Sequence, residues 1–203
     1  MNALAAAVES LLDDDLPPIV TAGHPVLRQP AMTFDGQFDD DLLQRLVETM
    51  RRVMRAAPGV GLAAPQIGIP LRIAVLEDPG TPDPDAAAAR SRTPLAYTAI
   101  VNPSYAPVDD AREIFYEGCL SVPGYQAVVA RHRSVSASYT QLDGVAAETV
   151  FHGWAARIVQ HETDHLNGTL YLDRAELRSL ASDAEYLRWN QPTVDDARRG
   201  LGF

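Results

Sequence analysis

Two histidines four residues apart, with a glutamate directly after the first, constrain this chain more than any other feature. On an α-helix, the motif His161-Glu162-Thr163-Asp164-His165 projects both imidazoles from one face, where they can bind one metal ion beside a carboxylate. The spacing therefore predicts a helix here and indicates a metal-dependent hydrolase. The alternative is a pair of solvated helix histidines.

Each part of such a site has a chemical role. Neutral imidazoles are good ligands for first-row divalent metals, a third protein ligand normally completes a catalytic site, and a fourth position stays open for water. Glu162 would accept a proton from that water during attack on a carbonyl and pass it to the leaving amine. The motif predicts hydrolysis without defining the substrate.

The identity of the third ligand stays open on spacing alone. No histidine occurs in 166–171, and Glu176 fits better as the end of a capping box, 173–176, that opens a final helix. Glu185 also lies downstream, and Cys119 is the one cysteine of the chain. A lone cysteine is more often a small buried hydrophobic residue than a ligand.

Three separated motifs give the chain a resemblance to the peptide deformylases. They are Gly-Val-Gly-Leu-Ala-Ala-Pro-Gln at 59–66, Glu-Gly-Cys-Leu-Ser at 117–121 and Gln-His-Glu-Thr-Asp-His-Leu at 160–166, complete and in the family's order. Flanking matches extend from about 23–28 to 172–174. The resemblance therefore covers most of the chain.

The resemblance implies the metal ligands and the catalytic groups residue by residue. Glu162 would be the general base and acid. The Gln66 side chain and the Leu120 backbone N–H would hold the oxygen of the formyl carbon as that carbon becomes tetrahedral, and such donors typically supply several kcal/mol. The implied metal ligands are Cys119, His161 and His165.

A set of substrate contacts also follows from the resemblance. Trp154 and Ile158 match positions that form the wall of a pocket for the methionine side chain. The alternative is that both are ordinary core residues. Glu117 is expected to pair with Arg131 beneath the cleft, unless Arg131 is a surface arginine on a strand. The implied substrate contacts are Val60, Gly61, Glu117, Gly118, Trp154 and Ile158.

The implied activity is removal of the formyl group from the N-terminal formyl-methionine of nascent polypeptides, which releases formate. The resemblance implies ferrous iron, with zinc, nickel or cobalt able to occupy the same ligands, whereas ligand type alone indicates zinc. Two alternatives are an amidase for another N-acyl substrate and a non-catalytic relative in which a metal only links Cys119 to the helix.

Charge and composition exclude several other classes. With 17 basic and 27 acidic side chains, the formal charge of −10 argues against a general nucleic-acid surface, and no basic patch supports ribosome contact. No apolar run is long enough to cross a bilayer, the acidic start 1–15 does not resemble a signal peptide, and one cysteine cannot build a disulfide framework. We therefore expect a cytoplasmic protein, where a thiolate ligand survives.

Hydrophobic spacing predicts one α+β domain over 1–203. The pattern has short antiparallel strands between an N-terminal and a C-terminal helix, and the resemblance implies that the sheets pack around a central helix that carries the metal motif. An amphipathic helix is predicted over 39–56, and strands over 71–76, 128–130 and 135–139.

The remaining segments are expected to be connections and extensions. Residues 1–22 form an N-terminal extension, 78–94 a mobile loop without function, and 102–103 a turn. A packed terminal helix is predicted over 174–189, and the stretch 174–203 ends in a short tail whose role the sequence does not reveal.

Overall fold

The computed structural model describes residues 3–189 and 193–203 of the chain. Its helices are α1 (Ala3–Leu12), α2 (Asp40–Ala56), α3 (Pro84–Ala89), α4 (Gly153–Leu166), α5 (Asp183–Trp189) and α6 (Asp195–Leu201). Its strands are β1 (Gly61–Ala63), β2 (Ile73–Asp78), β3 (Leu95–Pro107), β4 (Arg112–Cys119), β5 (Val122–His132), β6 (Ser134–Thr140), β7 (Ala146–His152) and β8 (Ala175–Ser182).

The strands form two antiparallel sheets, as the sequence predicts. One has the order β1-β2-β3-β6-β7 and the other the order β4-β5-β8. A tight turn joins β4 to β5 and sets Cys119 opposite Val122. A second turn, between β6 and β7, has Gly144 at φ 81°, which is the left-handed conformation that favours glycine in a hairpin.

Helix α4 carries the metal motif and contacts strands of both sheets. Because strands cover it on several sides, polar residues such as Gln160 and Asp164 are buried along with its apolar ones. Buried polar groups require partners, so the helix is held by hydrogen bonds as well as by packing. Gln160, for example, accepts from the His132 N–H at 3.0 Å and donates to its carbonyl at 2.8 Å.

The predicted amphipathic helix is confirmed as α2. Asp39 caps its N-terminus by accepting a hydrogen bond from the Leu42 N–H at 3.0 Å. Its apolar face, which includes Leu46 and Met50, is buried against β1 and β2. These contacts fix the strand that enters the candidate site.

The expected N-terminal extension is attached to this core. Helix α1 packs on α2 with Val8 fully buried. Further along, the Val20 N–H donates to the Gln66 carbonyl at 2.8 Å, and the Ala22 N–H donates to the Ser121 carbonyl at 2.7 Å. The segment therefore ties together two loops that belong to different sheets.

The predicted terminal helix over 174–189 is wrong for its first half. Residues Ala175–Ser182 form strand β8, which pairs with β5, and Ser179 accepts a hydrogen bond from the Val128 N–H at 2.7 Å. Only the second half is helical, as α5. The capping-box interpretation of 173–176 fails with it, because Glu176 lies on a strand.

Two predicted connections also have more structure than expected. Residues 78–94 contain α3, whose N-terminus is capped by Asp83. The 102–103 segment is not a turn, since β3 continues through it with a bulge at Asn102, which has φ 52°. The Asn102 amide bonds both the N–H and the carbonyl of Phe34, and these bonds offset the unusual backbone conformation.

Over 3–189 and 193–203, no helix combines the length and the hydrophobicity that crossing a bilayer requires.

Candidate metal centre

The structure brings the three predicted ligands together. Cys119 ends β4, while His161 and His165 lie one turn apart on α4, and their ligand atoms are all within 4.8 Å of one another. The Cys119 Sγ atom is 3.2 Å from His165 Nε2. Two imidazoles and a thiolate fit a first-row divalent metal, so this donor set can hold one ion.

Glu162 lies beside the ligands with its carboxylate buried. Its side chain is on the helix face next to β1, and Oε2 has no hydrogen-bond partner among the described residues. Burial raises the pKa of Glu162 to about 7, despite the opposing effect of His161. A carboxyl group in this state can both accept and release a proton near neutral pH.

Gly61 makes room for this carboxylate. A Cβ atom at Gly61 would overlap Glu162 Oε1, far inside contact distance. The glycine is therefore required by close approach of a side chain, and not by an unusual backbone angle. The Gly-Val-Gly motif and the helical motif thus lie in contact at one site.

The Gln66 amide is held in one orientation. It belongs to a short 3-10 turn, Ala64–Ile67, directly after β1. Its Oε1 accepts from the Ala63 N–H at 2.8 Å, and its Nε2 donates to Ser121 Oγ at 3.3 Å and to Cys119 Sγ at 3.7 Å. The donor end of the amide consequently faces the ligands, beside the turn that contains Leu120.

Glu117 orients the first histidine. Its carboxylate lies 3.1 Å from His161 Nδ1, which leaves Nε2 available for a metal. Arg131 donates to both carboxylate oxygens at 2.9 and 3.0 Å, which confirms the expected pairing, and Arg157 adds a third cationic contact at 2.5 Å. Burial alone would raise the pKa of Glu117, but these cations and His161 hold it well below its ordinary value.

Asp164 extends this buried network to the far side of α4. It accepts hydrogen bonds from Arg131 and, at 2.7 and 2.9 Å, from Arg174. Arg131 thus bridges two carboxylates, one on β4 and one between the two histidines. Sequence reasoning missed the roles of Asp164 and Arg157, although a buried acid inside a ligand motif is a signal that a cation must lie nearby.

A cleft of about 740 Å³ opens beside the ligands. All six predicted substrate contacts line it, and Ile158 is also part of a buried core cluster. The cleft is also lined by charged and aromatic residues of α4, of α5 and of the segment before β3 that were not predicted from the sequence. They include Arg90, Arg92, Arg157, Asp183 and Tyr186.

Sequence comparison identifies relatives of this chain. Residues 16–180 match the family described as polypeptide deformylase. The chain is 56% identical over 202 residues to peptide deformylase 1 of Streptomyces coelicolor, covering 98% of this chain and 93% of that protein. It is 47% identical over 188 residues to the peptide deformylase of Bifidobacterium adolescentis, covering 92% of this chain and 86% of that protein.

Solved structures of peptide deformylases are also similar to this chain. A class I type b peptide deformylase from Acinetobacter baumannii with Met-Ala-Ser bound has a TM-score of 0.71 and 34% identity, covering 78% of this chain and 98% of that chain. A peptide deformylase from Synechococcus elongatus in complex with actinonin has a TM-score of 0.67 and 33% identity, covering 92% and 87%.

Proposed function

The chain belongs to the polypeptide deformylase family, and on that premise we propose that Cys119, His161 and His165 hold the divalent ion used in the reaction. The activity is hydrolysis of the formyl group from the N-terminal formyl-methionine of nascent polypeptides, with release of formate. The assignment of residues depends mainly on one observation: the three ligand atoms lie within 4.8 Å of one another, beside a cleft that Gln66, Cys119, His161 and Glu162 line.

The three ligands would hold an ion that polarises the formyl group. When bound there, a divalent metal would act as a Lewis acid toward the formyl oxygen and would lower the pKa of water. We propose ferrous iron in the cell, from the family resemblance, while zinc, nickel or cobalt would fit the same donors. Glu117 holds His161 with its Nδ1 side occupied, and partners of this kind raise metal affinity.

Glu162 moves the proton. We propose that it takes a proton from the attacking water and delivers it to the amine nitrogen as the C–N bond breaks, leaving formate and a free N-terminus. Support comes from its burial, from the unpartnered Oε2 and from a pKa near 7, which suits a group that must act first as base and then as acid.

Gln66 and Leu120 stabilise the developing negative charge. In this proposal, Gln66 Nε2 and the Leu120 backbone N–H donate to the oxygen of the former formyl group. The Gln66 amide is already fixed by Ala63 and Ser121, so little reorganisation is needed when the charge forms. Preorganised donors of this kind are worth about 3–4 kcal/mol each.

The substrate backbone would lie between the two glycine-containing edges of the cleft. Val60 and Gly61 form one edge and Gly118 the other, and neither glycine carries a side chain that would block an extended peptide. The methionine side chain would then lie along Ile158 and Trp154. We propose that residues 1–203 act as one catalytic domain, in the cytoplasm, where the Cys119 thiolate stays reduced.

The first experiment measures formate release. The protein is purified without oxygen, loaded with ferrous iron and given formyl-Met-Ala-Ser or acetyl-Met-Ala-Ser. Release of formate from the first peptide, with no deacetylation of the second, is expected. Deacetylation instead would point to an amidase for another N-acyl group, and inactivity with metal bound would point to a structural metal.

Two variants test the roles separately. Glu162→Gln removes the proton acceptor but keeps the shape, so turnover should fall by at least about 100-fold while the metal content stays the same. Cys119→Ala should lose the metal. Full metal occupancy in the Cys119 variant would contradict its role as a ligand, and undiminished turnover in the Glu162 variant would contradict that of the base.

A further inference from the structure

One segment for which the sequence predicts no function lies against the start of helix α4, which carries the candidate metal ligands. The insert segment, residues 79–94, returns so that the Ser91 carbonyl accepts from the Trp154 N–H at 3.5 Å. A Cβ atom on Gly153 would lie 2.5 Å from that carbonyl oxygen, so only a glycine permits this approach. The insert segment is therefore docked on α4 and not free.

An ion pair fixes the end of the insert segment. Arg92 donates to both oxygens of Asp78 at 2.8 Å, and the Asp78 side chain is only 1% exposed. A bidentate pair of this kind determines orientation as well as position. Arg90, two residues earlier, is thereby held at the mouth of the cleft.

Arg90 meets helix α5 across the cleft. Its guanidinium carbon is 5.4 Å from the centroid of the Trp154 ring and 5.9 Å from that of Phe115, which is within the range of cation–π contacts. It also hydrogen-bonds the hydroxyl of Tyr186 on α5. The Tyr186 ring packs edge-on against Tyr116 at 5.2 Å. The insert segment and α5, which are distant in the sequence, thus meet through Arg90 and Tyr186.

The position of this contact along α4 matters for substrate fit. Ile158 and Trp154 precede His161 by three and seven residues, so Trp154 lies about 10 Å from His161 along the helix axis. All three line the cleft, as do Arg90 and Tyr186. A methionine whose formyl group is at the metal would extend its side chain along this wall and end near Trp154.

We propose that Arg90 and Tyr186 form the end wall of the pocket for the first substrate side chain and so set the longest side chain that the enzyme accepts. The inference rests on the proposed function, because it concerns the same cleft and the same peptide. Methionine fits because its side chain stops short of the wall. A longer unbranched side chain must displace Arg90 from Trp154.

The test compares two substrates that differ only in length. Formyl-norleucyl-Ala-Ser matches methionine in length, and formyl-2-aminooctanoyl-Ala-Ser is longer by two methylenes. Because one ill-fitting methylene changes kcat/KM by about 10–200-fold, the unaltered enzyme should prefer the norleucyl peptide at least about 10-fold. Arg90→Ala and Tyr186→Ala should each reduce that preference by about 10-fold, mainly by raising kcat/KM for the longer peptide.

Arg45→Ala is the matched control. Arg45 is an exposed arginine on α2 that does not line the cleft, and its removal should leave the preference unchanged. Thermal unfolding of each variant identifies any that fail to fold. The end-wall proposal is contradicted if the unaltered enzyme shows no preference for the norleucyl peptide. It is also contradicted if folded variants at both positions keep the full preference. Inactivity of the unaltered enzyme on the norleucyl peptide would instead count against the proposed function.

Discussion

At the residue scale, a missing side chain shapes the site as much as the ligands do. Gly61 does not have the positive φ that favours glycine, yet a Cβ there would overlap the Glu162 carboxylate. The substitution Gly61→Ala should therefore push Glu162 from its position and reduce kcat by at least about 100-fold, the typical contribution of a general base. Metal content should be unaffected, since the three atoms nearest to a Cβ at Gly61 all belong to Glu162 and none to a ligand. Formate release and metal analysis check both parts.

Gly36→Ala provides the comparison for Gly61→Ala. Gly36 has φ 91°, and a Cβ atom there would have no other atom within 4 Å, so alanine adds backbone strain without a clash. That strain should cost about 1 kcal/mol of stability and leave kcat unchanged. Equal kcat values for the two variants would argue that close packing at Gly61 does not matter for catalysis.

Glu117 is a second residue whose effect can be isolated. Glutamine at this position cannot balance the charges of Arg131 and Arg157, and it holds His161 less firmly. Glu117→Gln should weaken metal affinity by about 10–100-fold and destabilise the fold by about 3–5 kcal/mol. Competition with a chelator and chemical denaturation measure the two effects.

Glu113 offers the matched change for Glu117. It lies on the same strand, and its carboxylate is 3.5 Å from a guanidinium nitrogen of Arg133, whose side chain is 60% exposed. Exposed pairs contribute at most about 1 kcal/mol, so Glu113→Gln should leave metal affinity intact. If both variants bound metal as tightly as the unaltered protein, the Glu117 contact would have no part in holding the ion.

Side chains with a fixed spacing were predictable, and their partners were not. His161 and His165 can be recognised because four-residue spacing on a helix is a geometric requirement of shared ligation. Arg157 and Asp164 have no such spacing to any partner, since their contacts cross from α4 to β4 and to the segment before β8. Only the fold determines which buried charges meet.

At the element scale, β8 is a segment in which tertiary contacts override the helix propensity of the residues. Its sequence, Ala-Glu-Leu-Arg-Ser-Leu-Ala-Ser, is rich in helix formers, which favours a helix when the sequence is considered alone. In the fold it completes the small sheet, burying Ser179 and Ala181 and leaving Leu177 and Leu180 exposed. The order of apolar and polar residues in 175–182 fits neither a buried helix nor a regularly alternating strand. Pairing with β5 therefore determines that the segment is a strand.

Helix α2 and strand β2 are joined by an ion-pair cluster with a measurable pH signature. Glu77 accepts from Arg51 at 2.7 Å and from Arg55 at 2.6 Å, and these hydrogen bonds, led by that of Arg51, lower the pKa of Glu77 to about 2. The folded protein binds this proton less readily than the unfolded chain does. The stabilisation is therefore complete above about pH 4.5 and is lost as the pH falls toward 2.

Glu77→Gln tests this link between the two elements. At neutral pH the variant should be less stable by about 1–2 kcal/mol, which is less than the full pKa shift implies because both guanidiniums are partly solvated. The difference should shrink as the pH falls below about 4. Glu48→Gln, on the exposed face of α2, should show no such trend. A difference that stays constant from neutral pH to about pH 3 would exclude the ion pairs as its cause.

At the scale of the whole molecule, the candidate metal centre lies where the two sheets and α4 meet. The larger sheet contributes β1 and the Gln66 turn, the smaller sheet contributes Cys119 at the end of β4, and α4 contributes both histidines. The α+β class was predictable from hydrophobic spacing. This meeting point was not, because no local pattern reports how two sheets approach each other.

Removal of the metal should therefore loosen the whole fold and not only the site. An ion at 100 times its Kd stabilises the native state by about 2.7 kcal/mol, and for a chain of this size each kcal/mol is worth about 2–4 °C in Tm. Chelation should lower Tm by roughly 5–10 °C, as measured by calorimetry with and without metal. In Cys119→Ser, which weakens the one ligand from the small sheet, the two melting curves should nearly coincide at the same metal concentration. A full metal-dependent shift in that variant would mean that the ion stabilises the chain from elsewhere, and Cys119 would then not join the sheets through a metal.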